Sequence, residues 1–138
     1  MTVTNAVNQT STNVNDQDFQ LLLDIAYLAL DNRMLTEAQT VLATLADARS
    51  SNPYPAIGLA LLMYRQHRRS DAIEALRQVL SLFPAAVFTR SLLAMMLKEQ
   101  GADDWSRYAH ESVALCATGA GADLARSLFS EEYACPSQ

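Results

Sequence analysis

The chain has 138 residues, a net charge of −5 and a mean hydropathy of +0.01. Half of it is hydrophobic, which excludes wholesale disorder, yet its apolar runs stay below the ~18 residues that a membrane span requires. Its 22 Ala and 20 Leu against 4 Gly and 4 Pro favour helices over a sandwich of short strands, and its acidic balance argues against nucleic acid as the main partner.

The first 18 residues are rich in Thr, Asn, Ser and Gln, with neither the basic start nor the apolar stretch of a secretory signal. A disordered lead is expected over 1–15, followed by one helical domain over 16–133 and a flexible tail over 134–138. Helical periodicity sets in at Phe19. The segment 19–32 repeats apolar residues at Phe19, Leu22, Leu23, Ile25, Ala26 and Ala29, the spacing of a half-buried helix. Asp16 or Asp18 is placed to cap it, and Asn32–Arg33 to end it. Thr36 is the expected cap of a second helix, over 37–50, with Ala38, Val41, Leu42 and Leu45 on one face. Ser50-Ser51-Asn52-Pro53 breaks the chain, and a third helix is expected over 54–67.

Ser70 is the expected cap of a fourth helix, DAIEALRQVLSLF, which Pro84 stops. A fifth helix over 86–99 runs into Gly101, a natural C-terminal cap. Asp103 or Asp104 opens a sixth, WSRYAHESVALC, and a seventh closes the chain after the loop Thr118-Gly119-Ala120-Gly121. The expectation is therefore all-α, with about seven short helices in antiparallel pairs.

Chemistry leaves little trace. Cys116 and Cys135 are too few for a disulfide framework and read as free thiols, a bridge between them being the alternative. With His67 and His110 they give no metal-ligand spacing. The sequence has no Gly-rich phosphate loop and no nucleophile elbow, so neither an enzyme nor a cofactor is expected. Arg65, His67, Arg68 and Arg69 cluster at a helix C-terminus, where the macrodipole favours cations. Trp105 is expected to pack under its loop.

Shifting the chain by 34 residues brings similar residues into register. Glu37-Ala38 falls on Asp71-Ala72, and Leu42 on Leu76. Ile25 falls on Leu59 and Leu93, and Ala26 on Ala60 and Ala94. Thirty-four is the tetratricopeptide-repeat (TPR) period, and the chain resembles that family over roughly 19–116. The copy from Pro53 to Pro84 matches best, and the copy from Val87 departs in its second helix, where Ser106 takes a small-residue position. The resemblance implies three TPR-like helix pairs plus a capping helix, in a right-handed α-solenoid. Ala26, Ala38, Ala60, Ala72 and Ala94 would mark close helix approach.

In that family the first helix of each pair lines a concave groove. Carried over position by position, the groove comprises Leu23, Tyr27 and Leu30 in the first copy, Tyr54, Ile57, Leu61 and Tyr64 in the second, and Phe88 and Met95 in the third. Lys98 is its one lysine, unlike grooves that clamp a carboxylate. An apolar groove with Tyr and Met suits an amphipathic helix; the alternatives are filling by the seventh helix or burial in a homodimer. Size, acidity, three pairs and a closing helix make the chain similar to small bacterial type III secretion chaperones of the needle-subunit kind. That implies a cytoplasmic protein holding the amphipathic helix of a secretion subunit, alongside a small helical co-chaperone, without membrane insertion. The rival reading is a structural TPR adaptor or self-associating module in another assembly.

Overall fold

Helix α1 (Asp16–Asp31) starts where Asn15, in extended conformation, accepts the Asp18 backbone N–H on its side-chain oxygen at 2.8 Å. The cap is thus Asn15, one residue ahead of Asp16 and three ahead of Asp18, the two candidates in the sequence. The computed structural model describes the backbone of residues 15–134 and side chains as far as Phe129. Nearly all of the expected N-terminal lead and C-terminal tail, Cys135 included, lies outside those residues. Six more helices follow: α2 (Leu35–Ala48), α3 (Tyr54–Arg65), α4 (Arg69–Leu82), α5 (Val87–Glu99), α6 (Trp105–Leu115) and α7 (Ala120–Ala134). The fold is all-α, and no strand occurs among the described residues. No described helix is long and apolar enough to cross a membrane.

The turns show the 34-residue period directly. Arg33, His67 and Gly101 have φ of 61°, 63° and 78°, and they are successively 34 positions apart. Each sits in the same two-bond C-cap. Arg33 and Met34 donate to Leu30 and Ala29, at 3.1 and 2.8 Å. His67 and Arg68 donate to Tyr64 and Met63, at 3.0 and 2.9 Å. Gly101 and Ala102 donate to Lys98 and Leu97, both at 3.0 Å. The preceding helices end at Asp31, Arg65 and Glu99, with the same spacing. These tight reversals also correct two expected caps. Helices α2 and α4 begin immediately after the left-handed turn, so Thr36 and Ser70 lie inside them instead of ahead of them.

The chain divides into two compact units between Arg68 and Arg69, inside the second expected helix pair. In the first, α1 packs on α2 and both pack on α3. Its core joins Phe19, Leu23, Ala26 and Leu30 to Ala38, Leu42, Leu45 and Leu62. Ala26 and Ala38 are fully buried, the condition for close helix approach. Gly58 brings the α3 backbone against α2: a Cβ there would lie 2.7 Å from Leu42 Cδ2. Arg49 ties the end of α2 to the start of α1. It pairs with Asp16 at 2.7 Å, and its guanidinium stacks 4.6 Å from the Phe19 ring centre.

In the second unit, α5 packs on α4, α6 and α7, and α6 packs on α7. Ala94, Ala109 and Ala125 meet with Leu128 in its core, so three helices approach through methyl groups. Gly121 sets the entry of α7. A Cβ there would lie 2.7 Å from Val87 Cγ1 and 3.0 Å from the Phe88 backbone nitrogen. The buried Ser91 hydroxyl donates to the Gly121 carbonyl at 2.6 Å. Arg90 spans α5 and α6, pairing with Glu111 at 2.6 Å while donating to the Pro84 carbonyl at 2.6 Å.

Candidate partner-binding surface

The nine expected groove positions fall into three environments. Leu23, Leu30 and Ile57 are buried, at 4%, 2% and 1% exposure, so they present no surface to a partner. Leu23 and Leu30 belong to the core of the first unit. The inward face of α1 runs Phe19–Leu23–Ala26–Leu30, whereas Leu22 and Ile25, expected to point inward, are exposed. Apolar residues occupy most of the circumference of this helix, so periodicity alone could not choose the stripe. The choice is made by packing against Ala38, Leu42 and Leu45 of α2 and Leu62 of α3.

Tyr27, Leu61 and Tyr64 are half-buried and Tyr54 is exposed. Tyr54, Leu61 and Tyr64 recur at i, i+7 and i+10 and share one face of α3. Tyr27 reaches this face from α1, its hydroxyl donating to the Tyr54 carbonyl at 2.8 Å. Burial, with a smaller contribution from Tyr54, raises the Tyr27 pKa well above the ordinary phenol value, so the hydroxyl stays protonated and keeps its bond. The Tyr54 backbone N–H is held by the Asn52 side-chain oxygen at 2.9 Å, which fixes the start of α3. Arg65, paired with Asp31 at 3.2 Å, links the last turns of α3 and α1. The first unit thus carries an aromatic, partly open face on α1 and α3 with polar groups beside it.

The two remaining positions, Phe88 and Met95, are half-buried in the second unit. Met95 packs on the Ala94, Ala109, Ala125 and Leu128 cluster. Helix α7 brings Phe129 to 5.1 Å from the Trp105 ring centre and 4.5 Å from that of His110. Trp105 therefore packs, but against Phe129 of α7 and the Ala94, Ala109, Ala125 and Leu128 cluster, instead of under its loop as expected from the sequence. Lys98 is engaged as well: its ammonium lies 4.7 Å from the Trp105 ring centre and donates to the Leu128 carbonyl. Helix α7 is the cover for this side of α5.

No cluster of metal-ligating side chains occurs among the described residues. Cys116 is an exposed free thiol beside the Thr118 carbonyl. Sequence reasoning missed the row Leu21, Leu22, Ile25 and Leu28, exposed along α1. A run of three leucines at 21–23 was the available signal, since one helix stripe cannot bury all three.

The profile of a family described as "Bacterial type III secretion protein (HrpB1_HrpK)" matches residues 9–132. The chain belongs to this family of bacterial type III secretion proteins. Comparison with curated proteins gives no match. The family accords with the type III secretion part of the resemblance drawn from size, acidity, the helix pairs and the closing helix.

Proposed function

We propose that the chain is a non-catalytic binding protein of a type III secretion system, built on a TPR-like helical scaffold. It holds an amphipathic helix of a small, self-assembling secretion subunit against the tyrosine-bearing face of its first unit. The observation that carries this reading is the Tyr27, Tyr54, Leu61 and Tyr64 face, apolar in body, hydroxyl-tipped and incompletely buried. The 34-residue recurrence of the left-handed turn supports the scaffold, and family membership supports the secretion system. A chaperone of this kind prevents early polymerisation by covering the subunit's apolar stripe, and it does so in the cytosol before export. Each large side chain buried contributes roughly 1.5–3 kcal/mol before the cost of association.

The second reading, a structural adaptor in the same apparatus, draws on α7, which already covers the α5 side where Met95 lies. Co-purification from the native host separates the two, with Tyr54→Glu and Leu61→Glu introduced singly. Loss of a small helical subunit from both variants, with helical circular dichroism retained, is the expected result. Folded variants that keep the subunit would overturn the reading, and an unaltered set of larger apparatus components would favour the adaptor.

A further inference from the structure

The outward side of α1 has no described cover. Leu21, Ile25 and Leu28 are 58%, 46% and 61% exposed, with Leu22 beside them at 37%. At 100° per residue, Leu21, Ile25 and Leu28 lie within a 60° arc over two turns. Tyr27 lies roughly 120° away around the helix, so this stripe is a different surface from the tyrosine face.

The charges along it are one-sided. Helix α1 contains four aspartates and neither Lys nor Arg. Asp16 and Asp31 are paired with Arg49 and Arg65. Asp18 and Asp24 flank the stripe on opposite sides, and their described partners are neutral: the Asn15 amide at 3.2 Å and the Gln20 amide at 2.8 Å. The stripe is therefore apolar, with acidic edges at Asp18 and Asp24 that no described Lys or Arg pairs.

We infer that this stripe docks a second amphipathic helix, one whose own apolar stripe is flanked by Lys or Arg. The edge charge selects among the occupants an apolar stripe could take. A second copy placed α1 against α1 offers edges that carry Asp and neither Lys nor Arg, so it supplies no complement to Asp18 and Asp24 and leaves like charges facing across the seam. An anionic bilayer calls for basic flanks, the opposite of those present. Residues 1–14 of this chain contain no Lys or Arg and cannot complement Asp18 and Asp24. A basic-edged helix satisfies both the stripe and its borders.

The test uses the full chain and two synthetic 18-residue amphipathic helices with the same Leu/Ile stripe, one flanked by Lys and one by Glu. Fluorescence anisotropy is expected to show the Lys-flanked peptide binding at least tenfold more tightly, with the preference shrinking as salt rises. Leu28→Ser and Ile25→Ser, at exposed positions, should each weaken binding severalfold without loss of helical signal. The double variant Asp18→Lys/Asp24→Lys should invert the peptide preference, whereas Tyr54→Glu should leave it unchanged; that separates this surface from the tyrosine face. Equal binding of the two peptides would overturn the inference, as would indifference to Leu28 and Ile25. Leu28-dependent self-association in light scattering would assign the stripe to a second copy instead. Leu28-dependent binding to phosphatidylglycerol vesicles would assign it to a membrane.

Discussion

Alanine in place of a helical glycine ordinarily stabilises, by up to about 1 kcal/mol in a helix interior. At Gly121 the structure predicts the reverse. The new methyl would lie 2.7 Å from Val87 Cγ1, 3.0 Å from the Phe88 nitrogen and 3.1 Å from the Phe88 Cα. Two of these three atoms are backbone, at the first turn of α5, and cannot rotate away. Relief requires α7 to withdraw, which stretches the 2.6 Å bond from the Ser91 hydroxyl to the Gly121 carbonyl. Overpacking costs about 1–3 kcal/mol, and the weakened hydrogen bond adds up to about 1 kcal/mol. Gly121 lies in the first turn of α7, where the propensity gain is small. Gly121→Ala should therefore lose about 2 kcal/mol. Urea unfolding followed by circular dichroism would read this as a midpoint lowered by roughly 1 M, for a slope near 2 kcal/mol/M. Gly58→Ala is the internal comparison. Its closest contacts are to Leu42 side-chain atoms, and it lies well inside α3, so propensity and crowding nearly cancel. A Gly121→Ala protein as stable as the parent, or one no worse than Gly58→Ala, would refute the reasoning that α7 is seated by backbone contact.

Two further outcomes test other contacts. Ala94→Leu forces three methylene-sized groups into the junction with Ala109 and Ala125 and should cost about 1–3 kcal/mol, measured by the same urea titration. For Tyr27 the pKa is raised in the folded state, so its contribution is complete below the ordinary phenol pKa of about 10 and is lost as pH rises beyond it. Tyr27→Phe should lower stability at pH 7 by about 1 kcal/mol through the lost bond to Tyr54, while removing part of the alkaline decline. A parent and variant with parallel stability–pH curves from pH 9 to 11 would contradict the burial of that hydroxyl.

The helices were legible in the sequence because their punctuation is local. Pro53, Pro84 and Gly101 mark ends whatever the rest of the molecule does, and the 34-residue shift aligns residues that prove to share a turn. The caps were less legible. Helix α2 follows its left-handed reversal without a side-chain cap bond, and nothing in Arg33 or His67 announces that conformation as Gly101 does. The surface was the least legible part. Helix α1 is apolar nearly all round, and its inward stripe is decided by Ala38, Leu42 and Leu45 of the next helix and Leu62 of α3, outside the window that helical periodicity reads. Leu23 and Leu30 thus read as groove lining and are core, while Ile25 reads as core and faces outward. On α5, the neighbour that decides Met95 is α7, about 30 residues downstream.

The recurring turn also bears on how a chain of this kind can change length. Because Arg33, His67 and Gly101 leave their helices in the same backbone state, any segment running from one to the next starts and finishes at equivalent junctions. Duplication or deletion of one such segment would create no new type of joint. Insertions of other lengths would have to invent one. The turns therefore act as a reading frame for the fold, and growth in whole frames is the route that leaves each helix its existing ends.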